Sequence, residues 1–211
     1  MAGVFVSFEG IDGCGKSTQV AAADAWLRER SLNVRLVREP GGTDLGERLR
    51  AALLDPNLGD IDPAAEALMY AAARAQVVAD VIEPAIARGD VVIADRYVDS
   101  SLAYQGAGRG LGVEPIRAVN ALAMRGRIPD LTILLDIDVE TALARAAAVG
   151  EPDRIEQAGR EFFERVCECY RELASASPER FIVVDARHEI AAVREQVLLA
   201  LDTRIPGLVA T

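Results

Sequence analysis

Residues Gly10-Ile11-Asp12-Gly13-Cys14-Gly15-Lys16-Ser17 spell G-x-x-x-x-G-K-S and follow directly on the β-rich run Val4–Glu9. Few eight-residue stretches restrict a fold as tightly. Glycines at this spacing let successive backbone N–H groups turn inward around phosphate oxygens, and a helix starting at the end of the loop adds its positive dipole end. The lysine then meets the β- and γ-phosphates, and the serine hydroxyl ligates Mg²⁺. From Ser17 to Arg30, Val20, Ala23, Trp26 and Leu27 recur at helical spacing, completing strand, loop and helix. Gly10 to Ser17, with Thr18 behind them near the nucleotide base, are therefore the candidate residues for binding a nucleoside triphosphate. Lys16 is the only lysine among 23 basic residues, and it stands where a compact ammonium suits the chemistry better than a planar fork.

The rest of the chain alternates in the same way. Asn33–Arg38 reads as a second strand ended by Pro40-Gly41-Gly42. Asp44–Leu54 reads as a helix with Asp44 as N-cap, and Pro63–Arg88 as a long helix that Pro84 kinks or interrupts. Val91–Ala94, ending at Asp95, is a buried strand; a helix-capable stretch and a glycine-rich loop, Gln105–Gly112, come after it. Helices are expected at Glu114–Arg125, Val139–Ala148, Glu156–Ala176 and His188–Asp202, strands at Leu131–Asp136 and Arg180–Val184, and a break at Val149–Asp153. Five short apolar strands separated by helices predict an α/β fold: a doubly wound, five-stranded parallel sheet with helices on both faces. The 211 residues suit one domain, 1–211, with no repeat or linker.

Composition removes several classes of function. A net charge of −10 argues against nucleic-acid and membrane surfaces, which use broad positive patches. The longest apolar run, Ala67–Ala73, is far short of a bilayer span, and Glu9 interrupts the first hydrophobic run, so a cytoplasmic location is expected. Cys14, Cys167 and Cys169 form neither a disulfide framework nor a metal knuckle. The single histidine, His188, reads as a surface side chain and leaves a Ser-His-Asp triad without its base.

The strand Val91–Asp95 is followed at once by Arg96. A carboxylate there can hold magnesium through water, so Asp95 joins Ser17 as a candidate metal residue, while Arg96 can clamp two phosphates bidentately. A guanine-specific switch would need an Asn-Lys-x-Asp element, which one lysine cannot supply. Kinases of other small acceptors and nucleotide-dependent switches remain open at this level.

Several blocks in order narrow the choice. Phe8–Thr18, Arg38-Glu39-Pro40-Gly41-Gly42-Thr43, Asp95-Arg96-Tyr97 with Ser100, Ser101, Tyr104 and Gln105, and Asp153-Arg154-Ile155-Glu156 together resemble the bacterial thymidylate kinases, P-loop nucleoside monophosphate kinases, from about Val4 to Val184. The resemblance implies transfer of the ATP γ-phosphoryl group to thymidine monophosphate (dTMP), with Mg²⁺ and in a homodimer. It places Asp12 near the sugar and phosphate of the acceptor, Arg38 on its phosphate, and Glu39 in a polar network there. Tyr70 would stack on thymine, and Arg74, four residues on and on the same helix face, would donate to a base carbonyl. Ser101 matches a base contact, Tyr104 a ring that disfavours a 2′-hydroxyl, and Gln105 their neighbour. Ser100 reads as structural.

Arg145 and Arg154 flank an expected lid at about 145–156. Arg154 matches an arginine that serves the transition state, and Arg145 would pack near adenine. Ala147 and Val149 stand where relatives carry further arginines, and Cys14 lies where others have a basic residue in the loop. The implied catalytic set is Lys16, Arg96, Arg154 and Asp12, acting by alignment and charge neutralisation.

Overall fold

The computed structural model describes residues 3–148 and 153–204. Its strands are β1 (Val4–Glu9), β2 (Val34–Arg38), β3 (Val91–Asp95), β4 (Leu131–Asp136) and β5 (Phe181–Asp185), joined in the order β2-β3-β1-β4-β5 with every pair parallel. The expected doubly wound sheet is present. Side chains of a strand alternate between faces, and here each face meets its own apolar layer. Val6 and Phe8 of β1 join Ile93 and Ile133 in one core, whereas Phe5 joins Val92, Ala94 and Tyr97 in the other. β2 lies at one edge, where Arg35 and Leu36 are exposed.

The helices are α1 (Lys16–Glu29), α2 (Asp44–Leu54), α3 (Pro63–Val77), α4 (Glu83–Ala87), α5 (Val98–Ser101), α6 (Val113–Met124), α7 (Val139–Ala147), α8 (Arg160–Ala176) and α9 (Ile190–Arg204). α1, α8 and α9 supply the first core and α3, α4 and α6 the second. None is long and apolar enough to cross a membrane, among the described residues.

Three local expectations need correction. α2 is capped by Thr43, not Asp44: the Thr43 Oγ1 accepts the Gly46 N–H at 3.0 Å, and Asp44 falls in the first turn, where its charge meets the helix dipole. The long helix is interrupted as expected by Pro84, which cannot donate to the Asp80 carbonyl: a π-helical turn at Val78–Ile82 leads into α4, with Pro84 in its first turn. Gln105–Gly112 is not a loop throughout, because a π-helical segment, Leu102–Gly108, extends α5. Gly108 serves packing there: a Cβ would lie 2.6 Å from the Phe162 ring of α8. Glu156–Ala176 is divided at Gly159 into a 3₁₀ turn, Glu156–Ala158, and α8. The expected break at Val149–Asp153 falls, apart from Asp153, outside the described residues.

Candidate active site

The loop between β1 and α1 is built as its composition demands. Gly13 has φ 82°, and a Cβ on it would lie 2.1 Å from the Ala142 carbonyl oxygen, so no other residue fits. The Lys16 ammonium folds back over the loop, donating to the carbonyls of Gly10 at 3.0 Å and Ile11 at 3.2 Å. Cys14 is buried, with its Sγ 3.7 Å from the Lys16 Nζ. It fills space, as do the free and buried Cys167 and Cys169, whose thiols burial pushes up to about 11.

Arg96 joins this loop to the strand ends. It carries an unusual φ of 71° for a residue with a side chain. Its guanidinium donates to the Gly10 carbonyl and to the Asp12 carboxylate, both at 2.8 Å, and to the Tyr104 hydroxyl at 3.1 Å. Asp12 also accepts from the Tyr104 hydroxyl at 3.3 Å and lies 4.0 Å from Lys16. Against the cost of burial, the two cations hold the Asp12 carboxyl well below its ordinary range.

A cleft opens beside these groups, lined by Asp12, Glu39, Arg50, Tyr70, Arg74 and Arg96, by Ser101, Tyr104 and Gln105, and by Asp153 and Ile155. Its lining, aromatic rings beside guanidinium, hydroxyl and amide groups, suits a mononucleotide. Arg74 is 1% exposed. It pairs with Glu39 at 2.7 Å and donates to the Ser101 hydroxyl at 3.0 Å, to the Tyr97 carbonyl at 3.1 Å and to Asn120. Its Nε–H alone lacks a hydrogen-bond partner among the described residues. Burial pushes Glu39 up to about 7, with Arg74 opposing.

Eight of the nine expected acceptor-binding residues meet in this cleft: Asp12, Glu39, Tyr70, Arg74, Arg96, Ser101, Tyr104 and Gln105. Arg38 is the one that does not. Successive side chains at the end of β2 point to opposite faces, so Glu39 turns inward while Arg38 stays half exposed, bonded to Glu47 at 3.1 Å. Arg38 instead shares a groove with Ser17 and Asp95. That groove brings together the two candidate metal residues, a hydroxyl and a carboxylate, which is the hard-oxygen donor set magnesium accepts while keeping most of its water.

A further groove gathers Gly13, Cys14, Gly15, Thr18 and Arg145 with Ala186, Arg187 and His188. Arg145 donates to the Ala186 carbonyl at 2.9 Å. This groove runs along the phosphate loop at the start of α1, on the side of Thr18.

Arg154 is not free to face phosphate as it stands. Its guanidinium donates to Glu66 at 2.5 Å and to the Leu53 carbonyl at 2.8 Å. Glu66, fully buried on α3, accepts in addition from Gln105 at 2.9 Å and Arg109 at 3.1 Å. Of the expected lid, residues 149–152 lie outside the described residues.

The sequence reading missed Arg50, Glu66, Arg187 and the lining role of Ser100. Only Arg50 left a signal, since it is four residues before Leu54 and so shares its helix face, which looks into the cleft.

Comparison with known proteins returns one family. A family model described as "Thymidylate kinase" matches residues 8–197. A protein named thymidylate kinase from Desulforudis audaxviator is 52% identical over 190 residues, 90% of this chain and 86% of its own. One of the same name from Deinococcus radiodurans is 46% identical over 202 residues, covering 96% of this chain and 98% of its own. Another, from Clavibacter michiganensis, is 48% identical over 211 residues, all of this chain and 98% of its own.

Proposed function

From the premise that the chain belongs to the thymidylate kinase family and transfers the γ-phosphoryl group of ATP to dTMP, giving dTDP and ADP, we propose a residue-by-residue division of the work. The observation that carries it is the double engagement of Arg96, which lines the acceptor cleft and is bonded to Gly10 and Asp12 of the phosphate loop. A group so placed touches donor and acceptor phosphates at once.

ATP lies along the donor groove, with its phosphates inside the loop 10–18 and its base toward Arg145. The acceptor enters the cleft with its base between Tyr70 and Arg74, whose unpartnered Nε–H is a donor suited to a base carbonyl. Ser101 and Gln105 border the base and Glu39 holds Arg74 in place. Tyr104 lies against the sugar, near the 2′ position, and Asp12 near the sugar and phosphate. Arg38 reaches the acceptor phosphate only by leaving Glu47.

The acceptor phosphate is already an oxyanion at neutral pH, so no strong base is needed. Lys16 and Arg96 hold the reacting oxygens in line and neutralise charge as it spreads over the transferred group. Arg154 adds to this on exchanging Glu66 for a phosphoryl oxygen. Ser17 and Asp95 would hold Mg²⁺, which when bound supplies charge neutralisation at the phosphates. A single domain, a homodimer and a cytoplasmic location belong to the same proposal.

The test is ADP release with Mg²⁺ and ATP across the nucleoside monophosphates. Stimulation by dTMP well above every other acceptor is expected. Equal or greater stimulation by a purine monophosphate would reject the acceptor assignment.

A further inference from the structure

Glu9 does not line the acceptor cleft, and it is fully buried. An ionisable side chain in such a place is costly unless its partners use it. Its partners all lead to one residue. Glu9 Oε1 accepts the Tyr97 N–H at 2.8 Å, and the neighbouring Arg96 N–H reaches the Phe8 carbonyl at 3.0 Å. The backbone on both sides of the left-handed Arg96 is thus tied to the end of β1. Glu9 Oε2 accepts the Ser100 hydroxyl at 2.6 Å and the Tyr170 hydroxyl at 2.9 Å. The same two oxygens lie 2.8 Å apart and accept from Arg96 Nη1 at 3.2 and 3.5 Å.

We propose that Glu9 is a positioning residue of the transfer reaction: through Tyr97, Ser100 and Tyr170 it fixes the backbone and guanidinium of Arg96 between the two substrates. The proposal rests on the part given to Arg96 above. A carboxylate can accept all three hydrogen bonds, so both hydroxyl protons turn toward Glu9 and leave their lone pairs for Arg96. An amide cannot, because its NH₂ must face either the Tyr97 N–H or the two hydroxyls, whichever way it is turned. Charges on the surrounding elements bear on Glu9 as well. Asp99 of α5 opposes its ionisation and is itself paired with Arg180, the residue before β5, while Arg96 favours it. Burial, with Asp99 adding, pushes Glu9 up to about 7.

The experiment is a double-mutant cycle in the full-length enzyme, reading KM for dTMP and for ATP and kcat. Glu9→Gln and the milder Tyr170→Phe, which keeps the ring packed, are each made alone and combined with Arg96→Ala. Alone, Tyr170→Phe is expected to raise KM for dTMP about threefold and Glu9→Gln about tenfold, with KM for ATP rising by no more than that, since Arg96 faces both nucleotides. Combined with Arg96→Ala, neither is expected to add a further change. Should Glu9→Gln not fold, Tyr170→Phe carries the cycle. Effects that persist undiminished without Arg96 would reduce Glu9 to a structural role and overturn the proposal. A native KM and rate in Arg96→Ala alone would instead overturn the part given to Arg96, and this proposal with it.

Discussion

Replacing Arg96 tests the joint between donor and acceptor. Its guanidinium spans Gly10, Asp12 and Tyr104 within 3.1 Å, and no other described cation lining the acceptor cleft is bonded to the phosphate loop. Hydrogen bonds to charged groups contribute about 1.5–3 kcal/mol each. Two such bonds from the fork to phosphoryl oxygens then amount to about 3–6 kcal/mol, or about 10²–10⁴ in rate at 1.36 kcal/mol per decade. Arg96→Ala is expected to lose that much in kcat/KM for dTMP. It also leaves Asp12 with only Lys16, 4.0 Å away, to offset a carboxylate beside the incoming phosphate. Arg96→Lys keeps the charge but not the fork and should recover about half of the loss on a logarithmic scale. The assay is coupled ADP release at saturating ATP, with circular dichroism to confirm folding. An alanine variant within tenfold of native, or alanine and lysine variants that are equal, would take Arg96 out of this role.

Tyr104→Ala should narrow the preference for deoxyribose, lowering the ratio of kcat/KM for dTMP over its ribose analogue by about tenfold or more; an unchanged ratio would remove Tyr104 from sugar selection. Arg180→Met strands Asp99, which is 1% exposed and bonded to Arg180 at 2.6 Å. Breaking a buried pair costs about 3–5 kcal/mol, a fall in Tm of about 6–20 °C for a chain of this size, and a smaller fall than that would show Asp99 finding other partners. The rise of Glu9 from its ordinary 4.5 to about 7 means that the folded state binds a proton the unfolded state has already released. Stability therefore declines as pH rises between those values, by at most about 3 kcal/mol. Glu39 acts in the same sense and Asp12 is constant over this window. Denaturant titrations from pH 5 to 7.5 should give a shallower slope for Glu9→Gln than for the native chain, and identical slopes would contradict it.

The sheet was legible because its strands are continuous apolar runs set between helical periodicities, and those patterns depend on near neighbours. The phosphate loop was legible because glycine spacing and one lysine encode its backbone. What stayed hidden depends on contacts distant in the chain. Gln105–Gly108 reads as a loop from its glycines, yet Gly108 answers to the Phe162 ring of α8 and Gln105 to Glu66 of α3. Arg154 reads as a free lid cation until Glu66 is brought to it across 88 residues. Arg38 and Glu39 are adjacent letters, and only strand geometry sends them to opposite sides. Glu9 looks like the last residue of a strand and becomes a three-way acceptor once α8 delivers Tyr170.

The proposed donor groove and acceptor cleft meet end to end at Asp12 and Arg96. A single molecule joining adenosine to thymidine through a chain of phosphates tests it most directly, by inhibition kinetics against each substrate. Competition with both ATP and dTMP, with binding at least a hundredfold tighter than either nucleotide alone, is the expected result. Competition with one substrate only would place the two sites apart and contradict the account.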